Sequence, residues 1–203
     1  MDYLLSFNNN AYIVSSISTE LNAQNGMLIR MYDADEILDL VDMSDVVTGT
    51  VKRAEFYANM DAFRGLNLRA ADLLIQNSKG ELWIPRRTLD RKIAPGGLDY
   101  SCGGHVGSGE TYERGLLREI EEELNLKLSE ADLTFLANFG PRQGLPYFSE
   151  IYLYRSDKAP TYNPDDFSEY EWIMPDKLVE RLSDGELAKS SMLETMASLL
   201  DVL

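Results

Sequence analysis

Apolar and polar positions change rhythm several times along the chain, and each rhythm predicts a kind of element. Near the start, Tyr3-Leu4-Leu5, Ala11-Tyr12-Ile13-Val14 and Met27-Leu28-Ile29-Arg30-Met31 are short runs of strand type. They are divided by the turn-forming Asn8-Asn9-Asn10 and Asn25-Gly26. This predicts a small β-rich extension over residues 1–34, separate from a main domain over residues 35–203. In that domain Ile37 to Val41 and Val46 to Val51 read as two strands joined across Asp42-Met43-Ser44-Asp45. Ala70 to Gln76 and Glu81 to Pro85 read as a second pair, turning at Asn77-Ser78-Lys79-Gly80. A Gly/Pro-rich loop then runs from Ala94-Pro95-Gly96-Gly97 to Cys102-Gly103-Gly104. From about Thr111 to Asn125, Leu116, Leu117, Ile120 and Leu124 recur at helical spacing. Phe135 to Phe139 and Glu150 to Arg155 read as strands, Pro175 to Leu182 as a helix, and Glu186 to Leu200 as a last amphipathic helix. Strands and helices in this order predict an α+β fold, a sheet with helices packed on it.

Composition narrows what such a domain can do. Apolar residues make up 44% of the 203, enough for a core, and the net charge is −15. Sequence-independent nucleic-acid binding needs Lys/Arg patches that displace counterions, so a nucleic-acid partner is not expected. Cys102 is the only cysteine, which rules out an intramolecular disulfide and Cys-rich zinc sites. The first basic residue is Arg30, unlike a secretory signal, and no apolar run approaches the ~20 residues of a membrane helix. A cytoplasmic protein without a membrane partner is the expectation.

The chemistry concentrates between Gly104 and Leu126. Residues three and four apart share a helix face, which brings Glu119, Glu122 and Glu123 to one patch away from the Leu117, Ile120 and Leu124 seam. Glutamate-rich stripes are commonly just solvated faces. Two features point further here. A glycine-rich loop precedes the helix, where backbone N–H groups can face an anion. Arg118 stands beside the acids, able to grip a carboxylate by a two-pronged hydrogen bond. Clustered carboxylates repel one another, and a hard divalent cation turns that repulsion into coordination.

The segment resembles the Nudix signature: glycine, five residues, glutamate, seven residues, Arg-Glu, an aliphatic, any residue, Glu-Glu, any residue, glycine, an aliphatic. Gly104, Glu110, Arg118, Glu119, Ile120, Glu122, Glu123 and Leu126 fall in register. Asn125 replaces the last glycine; asparagine is the best non-glycine residue for a left-handed helix end, so the change concerns the turn rather than the acids. The similarity extends over roughly Glu36 to Arg181, through Ile37-Leu38-Asp39-Leu40-Val41-Asp42 and Pro85-Arg86-Arg87, to a branch containing bacterial Nudix hydrolases and isopentenyl-diphosphate isomerases. The resemblance implies an α/β/α sandwich around a mixed sheet and a hydrolase that splits a diphosphate linkage in a small molecule. It implies Glu119, Glu122 and Glu123 as ligands of Mg²⁺ or Mn²⁺, with Glu110 as loop support or a further ligand. Arg118 would orient them, and the Gly103 carbonyl could join the set. Gly103 and Gly104, with Arg86 and Arg87, are the expected substrate-side residues; Glu150 is one candidate for the base. A homodimer is compatible with the resemblance and the extension.

Two rivals carry different expectations. An isopentenyl-diphosphate isomerase needs a catalytic cysteine and several histidine ligands. In register its cysteine would fall on Gly103, one residue from Cys102, and His105 is the chain's single histidine. Cys102 is therefore expected to be a small buried residue. A non-catalytic ligand-binding module could dispense with the acids, whereas all four signature glutamates are present. The identity of the diphosphate compound is not legible; Tyr147, Phe148 and Trp172 could stack on a base or fill the core.

Overall fold

The computed structural model describes residues 35–142 and 144–203, together with the backbone of residues 3–7 and 10–14. In that first part β1 (Tyr3–Phe7) and β2 (Asn10–Val14) pair antiparallel, Tyr3 opposite Val14. The run expected as a strand at Met27–Met31 lies outside the described residues.

The next hairpin is β3 (Ile37–Val41) and β4 (Val47–Lys52). Its turn is closed by the Asp42 carboxylate, which accepts the amides of Ser44 (2.8 Å) and Val46 (3.1 Å), with Asp45 at φ 60°. A short helix α1 (Arg53–Ala58), not expected from the sequence, follows directly. Phe56 from α1 is buried with Leu38, Leu40, Val51 and Leu68 in a cluster that seats the hairpin beside the start of β5.

The main sheet is built from β5 (Leu68–Gln76), β6 (Leu82–Arg87), β7 (Cys102–His105), β8 (Thr134–Phe139), β9 (Tyr147–Arg155) and β10 (Phe167–Ile173). Its order is β10-β6-β5-β9-β8, with β7 also on β5; β5 runs parallel to β9 and the other pairings are antiparallel. The sheet is therefore mixed. Helix α2 (Tyr112–Leu124) covers one face, where Leu116, Ile120 and Leu124 meet Leu73, Ile75 and Cys102. Helices α3 (Pro175–Ser183) and α4 (Met192–Leu199) cover the other, packing Leu178, Leu182, Met192 and Met196 on Leu74, Leu82 and Ile84. Covering on both faces explains why β5 is buried almost throughout, the polar Asp72 and Gln76 included. Each such leucine contributes about 1.5–3 kcal/mol by leaving water.

Three expectations change. Cys102-Gly103-Gly104 is not loop: it forms β7 with His105, pairing Ala70 with His105 and Leu73 with Cys102. β6 touches β5 only where Leu82 faces Gln76, so β5 is passed from one partner to the other and the sheet forks between β6 and β7. The last helix starts at Met192, not Glu186, because the preceding segment is diverted to Leu98: the Leu98 amide donates to Leu187 O (2.8 Å) and the Lys189 amide to Leu98 O (3.0 Å). β10, absent from the sequence reading, is added to the edge of β6.

Candidate active site

Helix α2 starts and stops where its end residues dictate. The Thr111 hydroxyl accepts the Arg114 amide (3.3 Å) at the N-cap. Asn125 ends it in the left-handed region (φ 50°, ψ 32°), and its side-chain amide donates to Thr161 O (2.8 Å). Between these ends the helix presses closely on β7. A Cβ on Gly115 would stand 3.2 Å from the Val106 backbone, and one on Gly104 would stand 2.5 Å from the Glu119 carboxyl carbon. Glycine at 104 is what lets Glu119 lie flat against the strand.

Arg118 organises the acids. Its Nε and Nη2 donate to the two oxygens of Glu110, each at 3.2 Å, a two-pronged grip whose partner the sequence did not specify. Nη1 donates to Glu119 at 2.6 Å, and Nη2 also reaches the carbonyl of His105 at 3.0 Å. Glu122 stands 4.0 Å from the same guanidinium. Burial disfavours its charged form, but the bonds from Glu110 and Glu119 outweigh that and hold Arg118 protonated more firmly than usual. Glu110 is also partly desolvated, yet Arg118 and the Gly107 amide (2.8 Å) keep its carboxyl below the usual range. A recess of about 300 Å³ opens here, lined by Glu36, Gly107, Ser108, Glu110, Arg118 and Glu122.

Glu123 has a different setting. It is 5% exposed, and one of its oxygens accepts the Gly103 amide at 3.3 Å. Burial, and then the like charges of Glu119, Asp99 and Asp166, push its carboxyl up to about 8. Arg91, reaching over from the loop after β6, stands 3.9 Å from Glu123 and bonds Asp166 at 2.7 Å.

The three glutamates thus share one side of α2, as helix spacing requires, but do not converge as placed. Among the described residues, no three His, Cys, Asp or Glu side chains are gathered closely enough to hold a metal ion. Glu119 is drawn onto Arg118, Glu122 lines the recess, and Glu123 is sunk against β7. The donor set still suits a hard divalent cation: it is all oxygen, and Glu119, Asp99 and Asp166 crowd Glu123 with like charge that a cation would offset.

The other expected residues are placed as follows. Gly103 and Gly104 lie in β7, between Asp72 on one side and Glu119 on the other. Arg87 is not a solvated phosphate hand; it is buried, bonded to Asp99 and to Ile93 O (2.7 Å). Arg86 is taken up by Glu169 (3.0 Å), Glu186 (2.7 Å) and Gly96 O (2.8 Å). Glu150 bonds Asn138 (3.2 Å) and the Tyr152 hydroxyl. Cys102 is buried and free, its thiol pushed up by burial and by Glu123 and Glu119. His105 bonds the Tyr57 hydroxyl through Nε2 (2.8 Å), with Tyr147 edge-on; burial, then Arg53, hold its imidazole well below its usual pKa. Trp172 is packed against the α2-side core.

Glu36, Arg91 and Lys189 reach this region and were not singled out from the sequence. One signal was available for Lys189, a cation in the fourth place of an otherwise amphipathic run from Glu186; its two acidic partners lie far off in the chain.

Comparison with known proteins matches residues 66–196 to the NUDIX domain. The chain is 46% identical over 161 residues to a Nudix hydrolase of Nostoc sp., covering 78% of this chain and 92% of that protein. The crystal structure of DR0079 from Deinococcus radiodurans is similar with a TM-score of 0.70 and 39% identity, covering 80% of this chain and 98% of that one. A more distant relative is the isopentenyl-diphosphate Delta-isomerase 2 of Photorhabdus laumondii, 28% identical over 142 residues, 68% of this chain and 77% of that protein.

Proposed function

Since the chain belongs to the Nudix family and is a Nudix hydrolase, we propose that it splits the diphosphate linkage of a small molecule with the help of Mg²⁺ or Mn²⁺. The observation that carries this reading is geometric: Glu119, Glu122 and Glu123 share one side of α2 against the glycine strand β7, with Arg118 gripping Glu110 and Glu119. Splitting a phosphoanhydride is limited by charge build-up on phosphoryl oxygens and by placing a water in line. A bound divalent cation would polarise the phosphoryl group and offset that charge.

Glu119, Glu122 and Glu123 are the residues that would hold it. Arg118 keeps Glu119 and Glu110 in place through the bonds described, and Glu110 in turn ties down the Gly107 amide. Gly104 leaves the room that Glu119 occupies, and the Gly103 amide steadies Glu123. A carboxylate of this set, or Glu150, would take a proton from the attacking water; the position of Glu122, the most exposed of the three and part of the recess lining, supports Glu122 in that role. Arg86 and Arg87 enter as supports of the β6 end rather than as phosphate contacts, because carboxylates and carbonyls already occupy their guanidinium groups. The substrate is a diphosphate compound such as a nucleoside diphosphate linked to another group. Isomerase chemistry is disfavoured: the position in register with the isomerase cysteine is Gly103, and His105 has no histidine companion in the chain.

The test is a screen of diphosphate compounds with Mg²⁺ or Mn²⁺, reading phosphate after a coupled phosphatase, with isopentenyl diphosphate included and its isomer sought. A hydrolysed compound is expected, and Glu122→Gln should slow its turnover by at least about a hundredfold without changing the fold. Near-normal turnover by a folded Glu122→Gln protein would refute the assignment.

A further inference from the structure

The match to the NUDIX domain starts at residue 66, after the β3–β4 hairpin and α1. Yet β3 is joined to the loop that leads into α2. Leu38 bridges Gly107, and the Ser108 amide donates to Ile37 O at 2.8 Å. Asp39 is the polar residue at the centre of Ile37-Leu38-Asp39-Leu40-Val41, buried at 8% exposure between buried leucines. A carboxylate in such a place needs donors. It finds two in the loop: the Ser108 hydroxyl at 2.7 Å and the Gly109 amide at 3.1 Å. Gly109 has φ +79°, a conformation glycine adopts without strain, which lets the loop turn so that its amide points at Asp39.

The contacts continue into the acids of α2. Beside the pinned residues the Gly107 amide holds Glu110, Glu110 holds Arg118, and Arg118 holds Glu119. A second strut comes from Glu36, which bonds Arg53 at 3.2 Å and stands 3.8 Å from Arg118. We propose that β3 is a working part of the active site, with Asp39 as a positioning residue that fixes the 107–109 loop and, through Glu110, the orientation of Arg118 and Glu119. This rests on the hydrolase reading for its effect on turnover, but the brace itself is a separate claim about the loop.

The variants are Asp39→Asn, Ser108→Ala and the two combined. Turnover is measured on whichever diphosphate the unmodified protein hydrolyses, and amide hydrogen exchange is followed at residues 107–109. Asp39→Asn should lower kcat roughly tenfold while KM changes less than about twofold, because a displaced Glu119 affects the reaction more than binding. Ser108→Ala, which leaves the carboxylate and fold in place, should lower kcat by roughly threefold, and the combined variant should be no worse than Asp39→Asn alone. Exchange at Gly109 should quicken in both Asp39 variants. Unchanged kcat together with quickened exchange would overturn the proposal, as would full additivity of the two substitutions. If the unmodified protein hydrolyses no diphosphate, the hydrolase reading fails. Exchange then decides the brace alone, and an unchanged rate at Gly109 overturns it.

Discussion

Two groups of buried charge lie near the fork of the sheet, and they are balanced in opposite ways. In the first, Lys189 stands 3.5 Å from Asp72 and 3.3 Å from Asp99, and Arg87 bonds Asp99. Two acids meet two cations, and the Lys189 ammonium also lies over the Tyr100 ring at 5.6 Å. Burial favours the neutral forms; the partners outweigh it at Lys189, which is raised, and at Asp99, which is lowered, while at Asp72 burial wins and the carboxyl is raised. In the second group Glu123 faces Glu119, Asp99 and Asp166, and the nearby Arg91 is engaged by Asp166. A balanced network of this kind ties elements together, here β5, β6 and the segment before α4. The second group carries more acid than base around a buried carboxylate, a surplus that Arg91 and Lys189 offset only in part and that a bound divalent cation would offset further. The first reads as architecture and the second as function.

The contrast predicts stability changes of opposite sign. Lys189→Met leaves Asp72 and Asp99 buried with too little positive charge and should cost about 3 kcal/mol in urea unfolding at neutral pH. Glu123→Gln removes the crowded charge and keeps the acceptor for Gly103, so at pH 8.5 without added metal it should stabilise by about 1–2 kcal/mol. Equal losses in both variants would erase the distinction between the groups.

The pH dependence sharpens the same point. Because the Glu123 carboxyl is raised from 4.5 to about 8, the folded chain holds a proton there that the unfolded chain releases. Metal-free stability should therefore fall as pH rises through that window, by at most about 1.4 kcal/mol per unit. His105 acts in the opposite sense: its depressed pKa gives stability present above 6.5 and lost as pH falls. Asp99, lowered, and Lys189, raised, change little between pH 5 and 9: the first loses its contribution only in acid, the second only as pH rises above 10.5. Asp72, raised by burial, slopes with Glu123. Subtracting the Glu123→Gln curve isolates the glutamate. The difference should grow between pH 6.5 and 8 and shrink when Mg²⁺ is present; a flat difference would contradict the crowding.

How much of this was readable in the chain follows from how local each signal is. The ends of α2, Thr111 and Asn125, and its Leu116, Ile120 and Leu124 face are set by neighbours within the helix, and they were legible. A two-pronged grip by Arg118 on a carboxylate was legible in the motif, but that Glu110, eight residues earlier, is the carboxylate gripped was not. β7 was missed because Gly103-Gly104 looks like loop; glycine is needed there only because Asp72 and Glu119, distant in sequence, occupy the space of a side chain. β10 is a half-exposed edge strand of serine, glutamate and tyrosine, whose weak alternation carries little signal. The segment before α4 was drawn as helix because its pairing with Leu98 is tertiary. The pairing of Arg87 with Asp99 is tertiary in the same way, and its neighbours in sequence do not announce it. The smallest expected effect comes from a position that was legible: Asn125→Gly should relieve the left-handed backbone but lose the bond to Thr161 O, changing stability by less than about 1 kcal/mol.

Calorimetric titration of Mn²⁺ into the unmodified protein and into Glu123→Gln at pH 8 bears most directly on the unbalanced group. The unmodified protein should take up the ion with Kd at or below about 1 mM, and Glu123→Gln should bind at least about tenfold more weakly. Equal affinity in the two proteins, or no uptake by either at millimolar ion, would contradict the assignment of these glutamates to a cation.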